Sequence, residues 1–316
     1  MRILITGGFG FIGGRLAQHL QQVGHQIVLG SRNASSAPDW LPQAEVVQTD
    51  WNDAQALQQI CTNVDVVIHA AGMNAQDCAA NPVAALEFNG LATARLLAAA
   101  SRAGVKQFIY LSTAHVYANP LTGAITEETC PRNLHPYATS HLAGENAVLS
   151  ARQRGQIEGI VLRLSNAFGA PVHQGVNCWM LLVNDLCRQA VMERSLKLRS
   201  DGLQRRDFVT LQDVGKAFSH VLDLSKEQVS DGVLNIGGAW APRIIDIVEL
   251  IQSRCSAVLG FTPDIRLPER SDSEITLALD FQIDRLLASG FELSGNAVAE
   301  IDANLLLCRE AFGGDQ

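Results

Sequence analysis

An apolar pentapeptide, Arg2-Ile3-Leu4-Ile5-Thr6, runs directly into Gly7-Gly8-Phe9-Gly10-Phe11-Ile12-Gly13, and helical periodicity continues over 11–23. Few sequence features restrict a fold as tightly as a strand, a glycine turn and a helix in immediate succession. Glycines at 7, 10 and 13 permit a tight turn, let backbone N–H groups approach a pyrophosphate, and let the helix lie close to the sheet. A glycine string alone says little; here strand, turn and helix each occupy the place the string requires.

The same alternation continues through the first half of the chain. Strand-like runs follow at 26–29, 45–49, 64–70, 107–111 and 159–164, with helical periodicity over 54–61, 82–102 and 137–154 between them. Val64-Asp65-Val66-Val67-Ile68 and Phe108-Ile109-Tyr110-Leu111 are almost continuously apolar, as strands covered on both faces are. Asn81-Pro82 reads as a helix start, with Asn as cap and Pro in the first turn. Strands alternating with helices specify an α/β fold with a Rossmann-type, doubly wound parallel sheet. After about residue 170 the rhythm changes, with helical stretches near 177–194, 244–258 and 296–310. The expected organisation is a dinucleotide-binding domain over 1–169 and a smaller α/β substrate-binding domain over 170–316. Segments near 207–237 are expected to return to the first domain.

Charge and cysteine usage narrow the partners. The net charge is −8 and no block of Lys or Arg occurs, so phosphate-driven binding to nucleic acid or to an anionic membrane is not expected. No run approaches the ~18 consecutive apolar residues of a membrane-spanning helix. The seven cysteines (61, 78, 130, 178, 187, 255 and 308) are scattered and form no CxxC pair. A disulfide framework or zinc site is therefore not expected, and a reducing, cytoplasmic location is. No HExxH or similar ligand spacing points to a metal. Small molecules, or copies of the chain itself, are the expected partners.

Leu111-Ser112-Thr113-Ala114-His115-Val116-Tyr117 follows the fifth strand, and Tyr137-Ala138-Thr139-Ser140-His141 opens a helix further on. With the glycine turn, these segments resemble the extended branch of the short-chain dehydrogenase/reductase superfamily, the NAD-dependent epimerases, dehydratases and reductases of nucleotide sugars. Further landmarks occur in the family's order. They are the 64–72 segment ending His69-Ala70-Ala71-Gly72, Asn89, Arg163-Leu164-Ser165-Asn166-Ala167-Phe168-Gly169, Asp201-Gly202 with Arg206-Asp207-Phe208-Val209, and Asn235-Ile236-Gly237-Gly238. The resemblance covers nearly the whole chain.

The resemblance implies a function and a site. Tyr137 would be the acid/base that takes or returns the hydroxyl proton during hydride transfer, and Thr113 would hydrogen-bond the reacting oxygen. Gly7, Gly10, Phe11, Ile12, Gly13, Ala70, Ala71, Gly72, Asn89 and Ser112 would hold the dinucleotide, with Asp50 and Trp51 at its adenine. Asn166, and with them Asn177, would face the sugar or its diphosphate, and Arg206 would pair with the diphosphate. Arg270 is a further position whose local spacing departs from the family. The family's Tyr-x-x-x-Lys has His141 in the place of Lys. Positions i and i+4 share a helix face, so His141 can still lie beside Tyr137 and offer the cofactor ribose one hydrogen bond. A neutral imidazole lacks the permanent charge of Lys, and each pKa unit of tyrosine activation forgone corresponds to about 1.4 kcal/mol. Weakened or alkaline-shifted activity is the expectation.

The end of the second strand reads Leu29-Gly30-Ser31-Arg32. An acid there suits the ribose hydroxyls of NAD; Ser31 and Arg32 suit a 2′-phosphate, so NADP is expected as the preferred cofactor with NAD possible. Ala114-His115 replaces the Asp-Glu pair that drives elimination in 4,6-dehydratases, which disfavours a dehydratase. His115, His135 and His173 fall in loops that could border the pocket. The leading function is therefore an epimerase or ketoreductase of a nucleotide-diphosphate sugar, as a homodimer through the 82–102 and 137–154 helices. From another class, a non-catalytic dinucleotide-binding or redox-sensing protein keeps the glycine turn and relaxes the Tyr/Lys pair.

Overall fold

Ile3 and Ile5 point to one side of the central sheet and Leu4 to the other, and all three are fully buried. The parity recurs along the neighbouring strands. Ile27, Leu29 and Ile68 join Ile3 and Ile5, whereas Val28, Val67, Phe108 and Tyr110 join Leu4. A strand that is apolar at every position is thus explained by two hydrophobic layers, one above and one below the sheet.

These observations come from a computed structural model that describes residues 1–33, 35–268 and 277–313. Strands β1 (Arg2–Thr6), β2 (Gln26–Ser31), β3 (Glu45–Gln48), β4 (Val66–His69) and β5 (Gln107–Thr113) are followed by β6 (Gly123–Ile125) and β7 (Glu158–Leu164). After these come β8 (Asn166–Phe168), β9 (Ser195–Lys197), β10 (Phe208–Thr210), β11 (Val233–Ile236), β12 (Asp264–Arg266) and β13 (Leu279–Phe281). Seven of them form one parallel sheet in the order β11-β7-β5-β4-β1-β2-β3. The chain winds outward from β1 through β2 and β3, then returns to β4 on the other side. The crevice above the carboxyl ends of β1 and β4 is therefore the place where this topology opens.

The helices are α1 (Phe11–Gln22), α2 (Ala54–Ile60), α3 (Ala75–Ala80), α4 (Pro82–Ala85), α5 (Thr93–Arg102) and α6 (Pro136–Gln153). Next are α7 (Leu182–Glu193), α8 (Leu211–Leu222), α9 (Lys226–Val229), α10 (Ile244–Leu259), α11 (Asp284–Ala288) and α12 (Ala297–Phe312). Leu16 and Leu20 of α1 with Phe218 and Val221 of α8 cover one face of the sheet; Leu57, Leu96 and Val148 from α2, α5 and α6 cover the other. A separate core of Leu186, Cys187, Ile247, Ile251, Cys255, Leu305 and Cys308 joins α7, α10 and α12. Burial pushes the Cys255 and Cys308 thiols up to about 12, so they pack as small apolar groups. β11 lies at the sheet edge beside β7, while β10 pairs with β8 above the crevice.

Two helices differ from their sequence expectation. The stretch expected as helical over 177–194 begins at Leu182, and 177–181 forms turns in which Cys178 N–H donates to Val176 O and Leu181 N–H to Cys178 O. No capping side chain precedes Leu182; apolar spacing alone cannot mark a helix start. The 82–102 helix is continuous but widens into a π-helical segment, Leu86–Ala92, between α4 and α5. By length and mean hydropathy Pro82–Arg102 would pass as a membrane span, but half of that window is buried against the sheet and α6.

One buried ion pair ties these layers together. Arg163 of β7 donates to Glu145 of α6 at 2.7, 3.1 and 3.2 Å, and the Ser112 hydroxyl of β5 donates to the same carboxylate at 2.5 Å. The guanidinium also lies 4.8 Å above the ring of Tyr117, whose hydroxyl donates to Asn235 Oδ1 of β11 at 2.7 Å. Arg163→Met would strand a fully buried carboxylate. Its unfolding free energy, measured in urea, is expected to drop by about 3–5 kcal/mol, with much of the loss recovered in Arg163→Met/Glu145→Leu.

Candidate active site

The glycine turn is built by close approach. Gly7 adopts φ +73°, and a Cβ there would lie 2.7 Å from Ala70 O and Ala71 N. A Cβ on Gly13 would lie 2.2 Å from Gly7 O, so α1 starts as near to the turn as backbone allows. Gly10 caps α1 without a side chain, which leaves the first N–H groups of the helix directed at whatever occupies the crevice. The crevice is a cavity of about 1400 Å³, larger than the ~300–1,000 Å³ that holds one small ligand. It has room for a dinucleotide and a second molecule.

Most of the sequence-predicted residues meet at this cavity. Gly7, Gly10, Phe11, Ile12 and Gly13 line it, with Ser31, Arg32 and Trp51 at one end and Ala70, Ala71 and Gly72 beneath. Ser112, Thr113, Tyr137 and His141 line its centre; Asn166, Asn177 and Arg206 line the far side. Two residues do not. Asp50 is exposed and spends its carboxylate on Asn52 N–H at 2.9 Å, closing a local turn. Asn89 is buried behind the wall, where Oδ1 accepts from Met73 N–H at 2.8 Å and Nδ2 donates to Ser140 Oγ at 3.0 Å. From there it holds the Met73 N–H, next to Gly72 of the cavity floor. Arg270 lies outside the described residues.

Helix α6 carries the central pair. Its cap is His135, whose Nδ1 accepts from Tyr137 N–H at 3.1 Å, followed by Pro136. Tyr137, His141, Glu145 and Val148 then share the face against the sheet. Thr113, beside Tyr137 on the cavity wall, acts to lower the Tyr137 phenol, and burial, the larger effect, still holds it above its ordinary value. Thr113 also accepts from His115 N–H at 3.1 Å. The Tyr137 and His141 rings meet edge to face with centroids 4.6 Å apart. Burial pushes the His141 imidazole down to about 4, so it is neutral near pH 7 and gives Tyr137 no positive charge. The Nδ1 atom of His141 is engaged by the Tyr110 hydroxyl at 2.9 Å. A Cβ added to Gly72 would lie 3.6 and 3.7 Å from His141 Cε1 and Nε2, so that edge of the ring faces the cavity floor.

At the β2 end no carboxylate replaces Ser31 or Arg32; Ser31 Oγ accepts from Asn33 N–H at 3.3 Å, and Arg32 is exposed. Trp51 packs edge-on to Phe88 with ring centroids 5.6 Å apart, and its buried indole N–H has no partner among the described residues. An orphaned donor in the wall beside a glycine cradle fits a dinucleotide that brings acceptors. Arg95 and Asn52, which sequence reading passed over, also line this end and are joined at 2.6 Å. No group of His, Cys, Asp and Glu among the described residues could hold a metal.

On the far side, Asn166 donates to Asp207 O at 2.9 Å. The Asp207 carboxylate holds Ser165 Oγ at 2.5 Å and the N–H groups of Gly238 and Trp240 at 3.0 and 3.2 Å. Arg206 forms no ion pair among the described residues, which leaves its guanidinium for an anion. Of the three loop histidines only His115 lines the cavity; His173 closes a turn on Gly175 N–H.

The buried histidines make stability pH-dependent. Burial, with a smaller repulsion from His141, pushes His69 down to about 3, so both rings stay neutral in the folded chain and protonate below about 6.5 once it unfolds. The unfolded state then binds more protons, and stability falls as pH drops, by about 1.4 kcal/mol per pH unit for each histidine. Burial raises Asp207 from 3.8 to about 6, which acts in the opposite direction and offsets about one of the two. Urea unfolding from pH 6.5 to 4.5 is expected to show this net acid loss, and His141→Gln to remove about one proton's share of the slope.

Residues 3–237 match the model of the NAD dependent epimerase/dehydratase family. An uncharacterised UDP-glucose epimerase, YtcB of Bacillus subtilis (strain 168), is 28% identical over 287 residues, 84% of this chain and 86% of that protein. A UDP-glucose 4-epimerase of Neisseria meningitidis serogroup C is 26% identical over 289 residues, 82% of this chain and 84% of that protein. A UDP-glucuronic acid 4-epimerase of Bacillus cereus, solved with UDP-glucuronic acid and NAD, superposes with a TM-score of 0.80 at 22% identity, covering 98% of this chain and 100% of that one. The family match over most of its length places this chain in the NAD-dependent epimerase/dehydratase family, within the extended short-chain dehydrogenases/reductases.

Proposed function

We propose that the chain is an NAD(P)-dependent epimerase or ketoreductase of a nucleotide-diphosphate sugar. The observation that carries this reading is the convergence of the glycine turn, Thr113, Tyr137 and His141 on one cavity large enough for two ligands. The names of the relatives support the same substrate class.

A dinucleotide bound on the glycine turn supplies a hydride acceptor or donor and, when oxidised, a positive charge beside Tyr137. Tyr137 takes the proton of a sugar hydroxyl as the alcohol is oxidised, or returns one to the oxygen of a ketone as it is reduced. Thr113 holds that oxygen and the phenol together. His141 contributes one hydrogen bond to the ribose in place of an ammonium group. Arg206 pairs with the diphosphate, and Asn166 and Asn177 border the sugar. Ala114 and His115 supply no acid for elimination, so a dehydratase is disfavoured. Dimerisation through the Pro82–Arg102 helix and α6, and a cytoplasmic location, complete the reading.

One observation favours a second reading, a dinucleotide-binding protein with little turnover: His141 brings no charge to a phenol that burial already makes a weaker acid. The two are separated by denaturing freshly purified protein, identifying any released dinucleotide by mass spectrometry, and assaying UDP-sugar interconversion and NADPH-dependent reduction. Retained dinucleotide near one per chain supports epimerisation, which regenerates its cofactor in each cycle. Tyr137→Phe is expected to lower any turnover by about 10²–10⁴-fold, the usual share of a general acid–base, without loss of dinucleotide binding. Turnover unaffected by Tyr137→Phe, or none in either assay, rejects the catalytic reading.

NADP preference rests on Ser31 and Arg32. A charge-assisted guanidinium–phosphate contact contributes about 1.5–3 kcal/mol. In isothermal titration, Arg32→Ala is expected to weaken NADP binding by about 10–100-fold and to leave NAD binding within about twofold.

A further inference from the structure

Behind the cavity wall run buried hydrogen bonds that meet the expected catalytic residues at His141 alone. Thr93 Oγ1 donates to Asn89 O at 2.6 Å, so that hydroxyl has only lone pairs left for His69 Nε2, 2.9 Å away. His69 therefore carries its proton on Nε2, and its bare Nδ1 accepts from Thr6 Oγ1 at 2.6 Å. The other branch is Tyr110. Its hydroxyl lies 2.9 Å from His141 Nδ1 and 3.4 Å from Asn89 O. It has one proton to give, and the imidazole at 2.9 Å is the partner within good hydrogen-bond distance, the carbonyl at 3.4 Å being beyond it.

We infer that Tyr110 is a positioning residue that locks His141 with its proton on Nε2, presenting one fixed N–H donor to the cavity where relatives carry a lysine. This inference rests on the proposed role of His141 at the cofactor and extends it to a residue that touches no ligand. Tyr110 is 1% exposed, stacks on His69 with centroids 5.7 Å apart, and is clamped by α6, where a Cβ on Gly144 would lie 2.7 Å from its hydroxyl. The hydroxyl therefore has no room to swing away. Burial holds its phenol well above the ordinary tyrosine range, so it keeps its proton. The Thr6–His69–Thr93 branch ends on the Asn89 carbonyl, which only accepts. The Tyr110 branch orients His141, and through the edge-to-face contact Tyr137, without carrying a proton to solvent.

The test reads the tautomer directly. In protein labelled with ¹⁵N-histidine, long-range ¹H–¹⁵N correlation at pH 7.5, with His141 assigned from His141→Gln, is expected to show Nε2 protonated and Nδ1 bare. Wild-type protein with the proton on Nδ1 overturns the inference, and the measurement needs no variant beyond His141→Gln, used for assignment alone. In Tyr110→Phe the His141 signals are expected to shift toward a mixture of tautomers. Dinucleotide affinity should weaken by about fivefold, the scale of one net hydrogen bond. An unchanged tautomer together with unchanged affinity in a folded Tyr110→Phe also overturns it. A locked Nε2–H tautomer in wild-type protein that binds no dinucleotide supports the positioning role and rejects the function proposed for the site, so the two failures are distinct.

Discussion

Glu145 holds the helical side of the cavity to the sheet. It sits on α6 two turns beyond Tyr137 and one beyond His141, fully buried, and the charge of Arg163 together with the hydroxyl of Ser112 answers it. Since Arg163 belongs to β7 and Ser112 to β5, the carboxylate fixes the height and rotation of α6 against two adjacent strands at once. Thr113 follows Ser112 and Tyr137 precedes Glu145 on the same helix face, so a contact remote from any ligand sets the distance between the two residues expected to handle the reacting oxygen. A hydrophobic contact in its place would hold α6 on the sheet but tolerate sliding; a multiply hydrogen-bonded ion pair has one geometry. The cost of burying two charges is then spent on register.

Local patterns made much of this legible from sequence. The glycine turn, the apolar runs and the motif register depend on neighbours along the chain, and all are found where the periodicities place them. Asp50 and Asn89 departed from expectation because a residue type at a motif position does not reveal which partner its side chain finds. Asn52 N–H lies two residues from Asp50 and captures it, and the π-helical segment directs Asn89 behind Gly72. The loop before α7 was read as helix because its apolar spacing serves the cavity rim and not a helix face. Tyr110 was legible as a core strand residue, and nothing local distinguishes it from one. Its hydroxyl has a role only because His141, thirty-one residues away, arrives beside it when α6 docks.

That docking also bears on how the site can work without a lysine. An ammonium group near a phenol lowers its pKa by stabilising the phenolate; His141, kept neutral by burial, brings no such charge, and only the proposed hydrogen bond to the ribose would remain to it. Its Nδ1 is engaged by Tyr110, so protonating His141 would also require that hydrogen bond to reverse, and with its imidazole held down to about 4 the ring stays neutral at mildly acidic pH. Among the described residues, the one group that lowers the Tyr137 phenol is the neutral hydroxyl of Thr113. Under the proposed function, a positive charge beside Tyr137 would come from the bound dinucleotide in its oxidised form. The acidity of Tyr137 would then depend on cofactor binding to a degree that it would not with a resident lysine, tying the proposed proton transfer to an occupied site.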